Sequence, residues 1–388
     1  MKKLAWPAYS KKEIDLIANI SKSGRVNQWT GEYVQKFEKK YSKYFNLKYS
    51  IAVSNGTVGL EAALYALYLK KNSEVIVTPR SFIASASAVL KMGHTPVFSD
   101  IDLNSQNIEL EQIKNVVTKK TKAIICVHLA GYPTRMKEII EFAKNKNISV
   151  IEDCSQAHGS KINNKLIGTF GNISVWSFCQ DKIISTLGEG GMICTNNLKF
   201  YKRLKSYRDH GKNFNSISSI KKFNKFNYIN DFLGTNIRMT EVQAGVGYLQ
   251  LDQLNKWIKK RNEKVKLLEK YLQKIDTGII LIKVPSHIKH AYYRYYFFID
   301  QSTFKRNWNY DRLITELRKK NSSFFIGGCP EIYKEKVFQQ FLPKKDLVNT
   351  KLLSKCSICL PINQNLSNKE ILNIYKIIKK IFTQAFNK

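Results

Sequence analysis

The chain is poor in acidic residues, has no long apolar run and shows no pattern of paired cysteines, and each shortage excludes a class of protein. No apolar stretch approaches the ~20 residues that span a bilayer. The opening Met1-Lys2-Lys3-Leu4-Ala5-Trp6-Pro7 has two lysines but no apolar segment behind them, so it does not read as a secretory signal, and the expected location is the cytoplasm. Seven cysteines, an odd number scattered through apolar segments, do not form a disulfide framework. Cys356 and Cys359 are spaced as CxxC, but no second pair or histidine cluster completes a zinc site. They lie beside a predicted strand, Ser357–Pro361, and read as small packing residues; no metal is expected. A Gly-x-Gly-x-x-Gly turn after an early strand is also missing, since Ser54 to Gly59 does not supply one, which argues against a nicotinamide-dependent dehydrogenase.

Basic residues are abundant: 64 Lys and Arg face 30 Asp and Glu, a formal charge of +34 over 388 residues. The cations are 53 lysines and 11 arginines spread over the whole length. Nucleic-acid binding favours a clustered basic patch interleaved with aromatics, or a known module, and neither is present. Richness in Lys, Asn and Ile is equally what a compositional bias of the genome gives. A positive field also attracts a doubly charged nucleotide diphosphate.

Short apolar runs alternate with helical patterns through the first two thirds. Strands are predicted at Tyr49–Ser54, Glu74–Thr78, Thr95–Ser99, Ala123–His128, Ser149–Glu152, Asn172–Phe178 and Gly191–Thr195, with helices opening at Gly56-Thr57 and covering Ala84–Met92 and Met136–Asn145. Continuously apolar, β-branched strands alternating with helices indicate a mainly parallel sheet covered on both faces. Beyond Arg238 come a long helical stretch (Thr240–Leu272), an aromatic strand (Tyr292–Ile299) and a terminal helix (Asn368–Phe386). The expected division is a large domain over residues 1–250, including an N-terminal helix segment, and a smaller α/β domain over 251–388. Ser216–Tyr228, rich in Lys, Asn and Ser, reads as a mobile surface loop.

Three segments carry chemistry. Ser54-Asn55-Gly56-Thr57 joins a strand to a helix, and the N–H groups of a helix start, with its dipole, suit a phosphate; an ordinary Asn-Gly turn with a Thr cap is the competing reading. Asp153 ends a buried strand at the edge where ligands bind in α/β sheets, and either faces a ligand or caps the next turn. Lys182 leaves a strand and is followed by Leu187-Gly188-Glu189-Gly190-Gly191. Desolvation there would lower its pKa and free the amine as a nucleophile.

Taken in order, Gly56-Thr57, Glu152-Asp153-x-x-Gln156-x-His158-Gly159, Ser177 five residues before Lys182, Gly188-Glu189-Gly190-Gly191 and Asn236-x-Arg238-Met239-Thr240-Glu241-x-Gln243-Ala244 resemble the DegT/DnrJ/EryC1/StrS family of sugar aminotransferases. The resemblance begins near Trp6-Pro7, passes through Phe82 and Val127-His128-Leu129, and fades in the C-terminal third. It implies a pyridoxal-phosphate (PLP) enzyme of fold type I: a mainly parallel central sheet flanked by helices, with a smaller C-terminal α/β domain, working as a homodimer with shared active sites. Carried over position by position, Lys182 would bond to the cofactor's aldehyde and Asp153 would pair with the ring nitrogen. Gln156 would lie near the phenolic oxygen, and Gly56, Thr57 and Ser177 would hold the phosphate. Phe82 would stack on the ring, core packing being the alternative for it, and Asn236 would reach in from the partner subunit.

Glu189 either orients its loop or has a task in the site, and Arg238 either serves the site or forms an ion pair. His128 and His158 read as hydrogen-bonded structural residues, and Trp29 as packing. One branch of the family replaces the lysine with histidine and performs dehydration; Lys182 argues for transamination. The surroundings Phe178-Cys179-Gln180-Asp181 depart from commoner versions with small residues or Asn, which bears on the substrate. The implied reaction moves an amino group from L-glutamate to a nucleotide-linked (UDP, dTDP or GDP) 4-keto-6-deoxy sugar, for amino-sugar and surface-glycan synthesis. Alternatives are amination at carbon 3 and a non-catalytic regulator on the same fold.

Overall fold

The computed structural model describes residues 6–214 and 230–387, so the predicted loop Ser216–Tyr228 lies outside the described residues. The central sheet has seven strands: β1 (Tyr49–Val53), β2 (Glu74–Val77), β3 (Thr95–Phe98), β4 (Thr121–Val127), β5 (Ser149–Asp153), β8 (Ile173–Ser177) and β9 (Gly191–Thr195). Between β5 and β8 a small hairpin, β6 (Lys161–Ile162) and β7 (Lys165–Leu166), leaves the sheet. The order is β1-β9-β8-β5-β4-β2-β3, parallel throughout except for β9, which runs antiparallel to both its neighbours. The expected mainly parallel sheet is therefore present.

Both faces of the sheet are covered, and the two-residue period of the strands sorts their side chains into two cores. Ala52, Ile76, Ile124, Cys126, Val150, Trp176, Met192 and Cys194 belong to one cluster, and Ile51, Val53, Val75, Val77, Ile125, Ile151, Val175 and Ile193 to the other. Covering helices include α1 (Lys11–Ser23), α2 (Tyr33–Phe45), α3 (Gly56–Ala66), α4 (Ala84–Lys91), α5 (Leu110–Val116), α6 (Met136–Asn145) and α7 (Leu198–Arg208). The sequence reading had not resolved α1 or α2 as separate helices. Ser10 opens α1 with a reciprocal capping box to Glu13.

The long helix α8 (Glu241–Leu272) packs on α1, α2 and the C-terminal helix, and the expected boundary after residue 250 falls inside it. Its first residue ties the N-terminal region down. The buried Glu241 carboxylate accepts from the backbone N–H groups of Tyr33 (2.5 Å) and Val34 (3.1 Å), donors that the first turn of α2 cannot satisfy internally. A side chain at Gly31 would strike that carboxylate, with Glu241 Cδ only 2.2 Å from the position a Cβ would take. The C-terminal sheet comprises β10 (Ile279–Leu281), β12 (Arg294–Ile299) and β13 (Ser357–Pro361), with β12 in the middle, while the short β11 (Ile288–Lys289) pairs with β6 instead. Helices α9 (Tyr310–Lys320), α10 (Val348–Ser354) and α11 (Asn368–Ala385) complete this part. Its aromatic and aliphatic residues, among them Phe297, Leu360 and Phe382, join the same cluster as Phe37 and Trp176, so one core runs through both sheets. No helix among the described residues is long and apolar enough to cross a membrane.

Candidate active site

The carboxyl ends of β1, β5 and β8 share one edge of the sheet, and the site is assembled there. A cleft of about 730 Å³ is lined by Gly56, Thr57, Phe82, Asp153, Gln156, Ser177 and Lys182, together with side chains from β12 and the loop after α9. Seven of the eight expected site residues thus meet in one cavity.

Gly56 and Thr57 open α3, immediately after β1. Asn55 caps the helix, its side chain accepting from Val58 N–H (3.0 Å), and the Asn55 carbonyl takes Gly59 N–H. Helix geometry leaves the Gly56 and Thr57 N–H groups as the free donors of the first turn. Gly56 has to be glycine: a Cβ there would lie 2.8 Å from Ser177 Cβ. Ser177 ends β8 and turns its hydroxyl to the same corner, where it accepts from Cys179 N–H at 3.3 Å.

Asp153 ends β5 and is buried. Its Oδ2 accepts from Ser85 Oγ (3.0 Å), on α4, and its Oδ1 from Ser155 N–H (3.1 Å). It both caps the following turn and lines the cleft. Gln156 is fixed by accepting Ala130 N–H at 2.7 Å. Phe82 is 62% exposed and lies on the cleft wall, which rules out core packing for it.

Lys182 follows β8 on the connection to β9, its side chain 14% exposed. Its carbonyl accepts from Trp6 Nε1 at 2.7 Å, which holds the loop from behind. Nζ donates to the Tyr293 hydroxyl (3.2 Å) and lies 3.7 Å from Asp181 Oδ1. Here the structure corrects an expectation. Burial does pull the Lys182 amine down, but Tyr293 and Asp181 outweigh it and leave the pKa above its ordinary value.

Asn236 does not line this cleft; it is exposed on the segment before α8, where its Oδ1 accepts Arg238 N–H. Arg238 pairs with the buried carboxylate of Asp209 within the chain. Glu189 lines the cleft rim, and its carbonyl accepts from Thr186 Oγ1 and Gln243 Nε2. His128 is structural, as expected: Nδ1 accepts Thr134 N–H (3.0 Å) and Nε2 sits 3.3 Å from Glu152. His158 is different. Both ring nitrogens are buried without a hydrogen-bond partner among the described residues, the ring lying against Trp176 and Phe178, and burial pushes its pKa down to about 3. Trp29 is 53% exposed rather than packed, with Lys212 Nζ over its ring.

Cys356 and Cys359 are buried, as expected of packing residues. His128, Glu152 and Cys154 bring potential ligand atoms within 4.8 Å of one another. The Glu152 oxygens already accept from the N–H groups of Gly168, Phe170 and Gly171, and burial holds the Cys154 thiol protonated, so this cluster reads as structural.

Sequence reasoning missed Ser85, Asp181, Tyr293, Arg294 and Phe325. The one available signal was an arginine inside the aromatic run Tyr292-Tyr293-Arg294-Tyr295-Tyr296, since a cation is out of place in a buried strand unless something pairs with it.

The chain is similar to known proteins over nearly its whole length. GDP-perosamine synthase of Escherichia coli O157:H7 is 33% identical over 377 residues, covering 97% of each chain. The X-ray structure of the aminotransferase from Psychrobacter cryohalolentis superposes with a TM-score of 0.94 at 36% identity, covering 98% of each chain. The Escherichia coli GDP-4-keto-6-deoxy-D-mannose-3-dehydratase, solved with bound hydrated PLP, superposes with a TM-score of 0.87 at 25% identity, covering 98% of this chain and 99% of that one. The DegT/DnrJ/EryC1/StrS aminotransferase family matches residues 7–379, and the chain belongs to that family.

Proposed function

We propose that the protein is a PLP-dependent aminotransferase that carries an amino group from L-glutamate to the keto carbon of a nucleotide-linked 4-keto-6-deoxy sugar. The observation that supports this best is the convergence of Lys182, Asp153 and the Gly56–Thr57 helix start on one cleft. The donor set fits PLP: two backbone N–H groups and a hydroxyl for a phosphate, a buried carboxylate for a pyridinium nitrogen, an amine for the aldehyde, and an exposed aromatic ring on the wall. When bound, the cofactor supplies an electron sink beside the substrate carbon.

The chain's own residues then have defined tasks. Gly56, Thr57 and Ser177 bind the phosphate. Asp153, held by Ser85 and Ser155, keeps a positive ring nitrogen in place. Phe82 covers one face of the ring, and Gln156 orients its phenolic oxygen. Lys182 Nζ, once free, takes a proton from the donor amino acid's α-carbon and later delivers one to the sugar carbon.

Asn236 lies on the surface near the exposed Phe232 (58%) and Leu233 (86%). Two exposed apolar side chains close in sequence to a residue that its own cleft does not use support a homodimer in which Asn236 serves the partner's cleft.

The decisive test begins with colour. Purified protein given PLP should show a visible band, borohydride should fix the cofactor on the peptide containing Lys182, and Lys182→Ala should abolish both. A colourless protein that gains no band sinks the proposal. Incubation with glutamate and a panel of UDP-, dTDP- and GDP-linked 3-keto and 4-keto sugars, read by mass spectrometry, then separates the substrates.

A further inference from the structure

Beside Lys182 lies a cluster of polar groups to which the reading above gives no task. Tyr293 lies just before β12 and Arg294 is its first residue, and both side chains reach Asp181. The hydrogen bonds run in one direction. Lys182 Nζ donates to the Tyr293 oxygen (3.2 Å), and the Tyr293 hydroxyl donates in turn to Asp181 Oδ2. Arg294 Nη2 donates to the same Oδ2 (2.8 Å) and approaches the Tyr293 oxygen at 3.4 Å. The guanidinium is held between the rings of Tyr293 and Phe325, each centroid 4.9 Å from its central carbon. Lys182 Nζ itself sits 4.5 Å from the Tyr293 ring centre.

We propose that Asp181, Tyr293 and Arg294 form a positioning network for Lys182, resting on the role given to that lysine above. Tyr293 fixes where the amine sits, Asp181 steadies the proton that the amine carries between the donor carbon and the sugar carbon, and Arg294 shares Asp181 and so limits that hold. The assignment follows from the geometry: one carboxylate faces two cations, and one hydroxyl stands between the carboxylate and the amine. The raised pKa of Lys182 and the lowered pKa of Asp181 agree with it; for each, burial opposes the shift, and the partners in this network outweigh it. Other titratable groups near the amine are Cys179 on its own loop, Glu189 and Asp153 on the cleft wall, and His158 behind it. None of these pairs with Nζ.

The network makes a prediction of opposite signs that a merely structural role does not make. In Asp181→Asn the amine loses its nearest anion, and its titration should move down by roughly one pH unit. In Arg294→Met the carboxylate keeps Lys182 as its one cation in this network, and the titration should move up. Tyr293→Phe should move it down as well.

The measurement is competitive labelling of the full-length, cofactor-free protein with trace acetic anhydride from pH 7 to 12, the Lys182 peptide being quantified by mass spectrometry. Unchanged circular dichroism and thermal midpoint establish that each variant is folded; should Arg294→Met fail this, Arg294→Gln is the replacement. Shifts of opposite sign for the Asp181 and Arg294 variants support the network. Shifts of the same sign, or none, overturn it. Borohydride trapping of PLP on wild-type Lys182 is run alongside, so failure of the cofactor reading is seen separately from failure of the network.

Discussion

Ser85 Oγ donates to Asp153 Oδ2 at 3.0 Å, so a helix on one side of the cleft steadies the carboxylate that ends the strand on the other. Asp153→Asn keeps the shape but removes the charge, and kcat should fall by roughly thousands-fold, several kcal/mol of barrier. Ser85→Ala removes one hydrogen bond to a charged group, worth about 1.5–3 kcal/mol, and should lower kcat by about ten- to a hundredfold. Steady-state kinetics at saturating donor and acceptor check the order; equal effects would count against Ser85 acting through Asp153.

Gly56→Ala places a methyl group 2.8 Å from Ser177 Cβ, closer than side chains pack, so Ser177 or the helix start has to move. Both belong to the proposed phosphate corner. Cofactor affinity should drop by at least about tenfold, while the fold, supported by two large cores, should survive. Titration of the visible band with PLP gives the affinity, and thermal melting checks the fold.

Acid should destabilise the protein through His158 and His290, whose pKa values burial lowers from 6.5 to about 3. The sign follows from proton counts. Between those two values the unfolded chain binds a proton at each histidine and the folded chain does not, so stability falls as pH drops below 6.5. Each group adds about 1.4 kcal/mol per pH unit to the slope. Urea midpoints measured from pH 7 to pH 4.5 should decline, and His158→Phe, which keeps the ring contacts with Trp176 and Phe178, should reduce the slope.

Leu233 is 86% exposed beside Phe232, in the region proposed to meet a second copy. Leu233→Asp should shift sedimentation from dimer to monomer at micromolar concentration and lower turnover by more than about tenfold. A variant that sediments as wild type would detach this patch from the interface.

The strands were legible because buried parallel strands are continuously apolar, and Ile124, Ile125, Val127 and Ile151 announce themselves. The site was legible where it lies on strand ends and helix starts: Asp153, Ser177 and the Gly56 turn. It was not legible where distant segments meet. Nothing near Asp181 in the chain says that Tyr293 and Arg294 will pack on it more than a hundred residues later. The direction of the Lys182 pKa shift was misjudged for that reason, since local burial argued one way while Asp181 and the remote Tyr293 together decided the other. His158 was expected to find a hydrogen-bond partner and instead lies against aromatic rings, again a choice made by tertiary packing.

The one antiparallel strand described in the central sheet has a mechanical consequence. Gly191 stands in register with Val53 on one side and Ser177 on the other, so the phosphate corner and the hairpin carrying the lysine are stitched into one row of the ladder. Both ends of the lysine's loop are thereby anchored in adjacent strands at the interior of the sheet. The two ends of that loop cannot separate without breaking the ladder between β8 and β9.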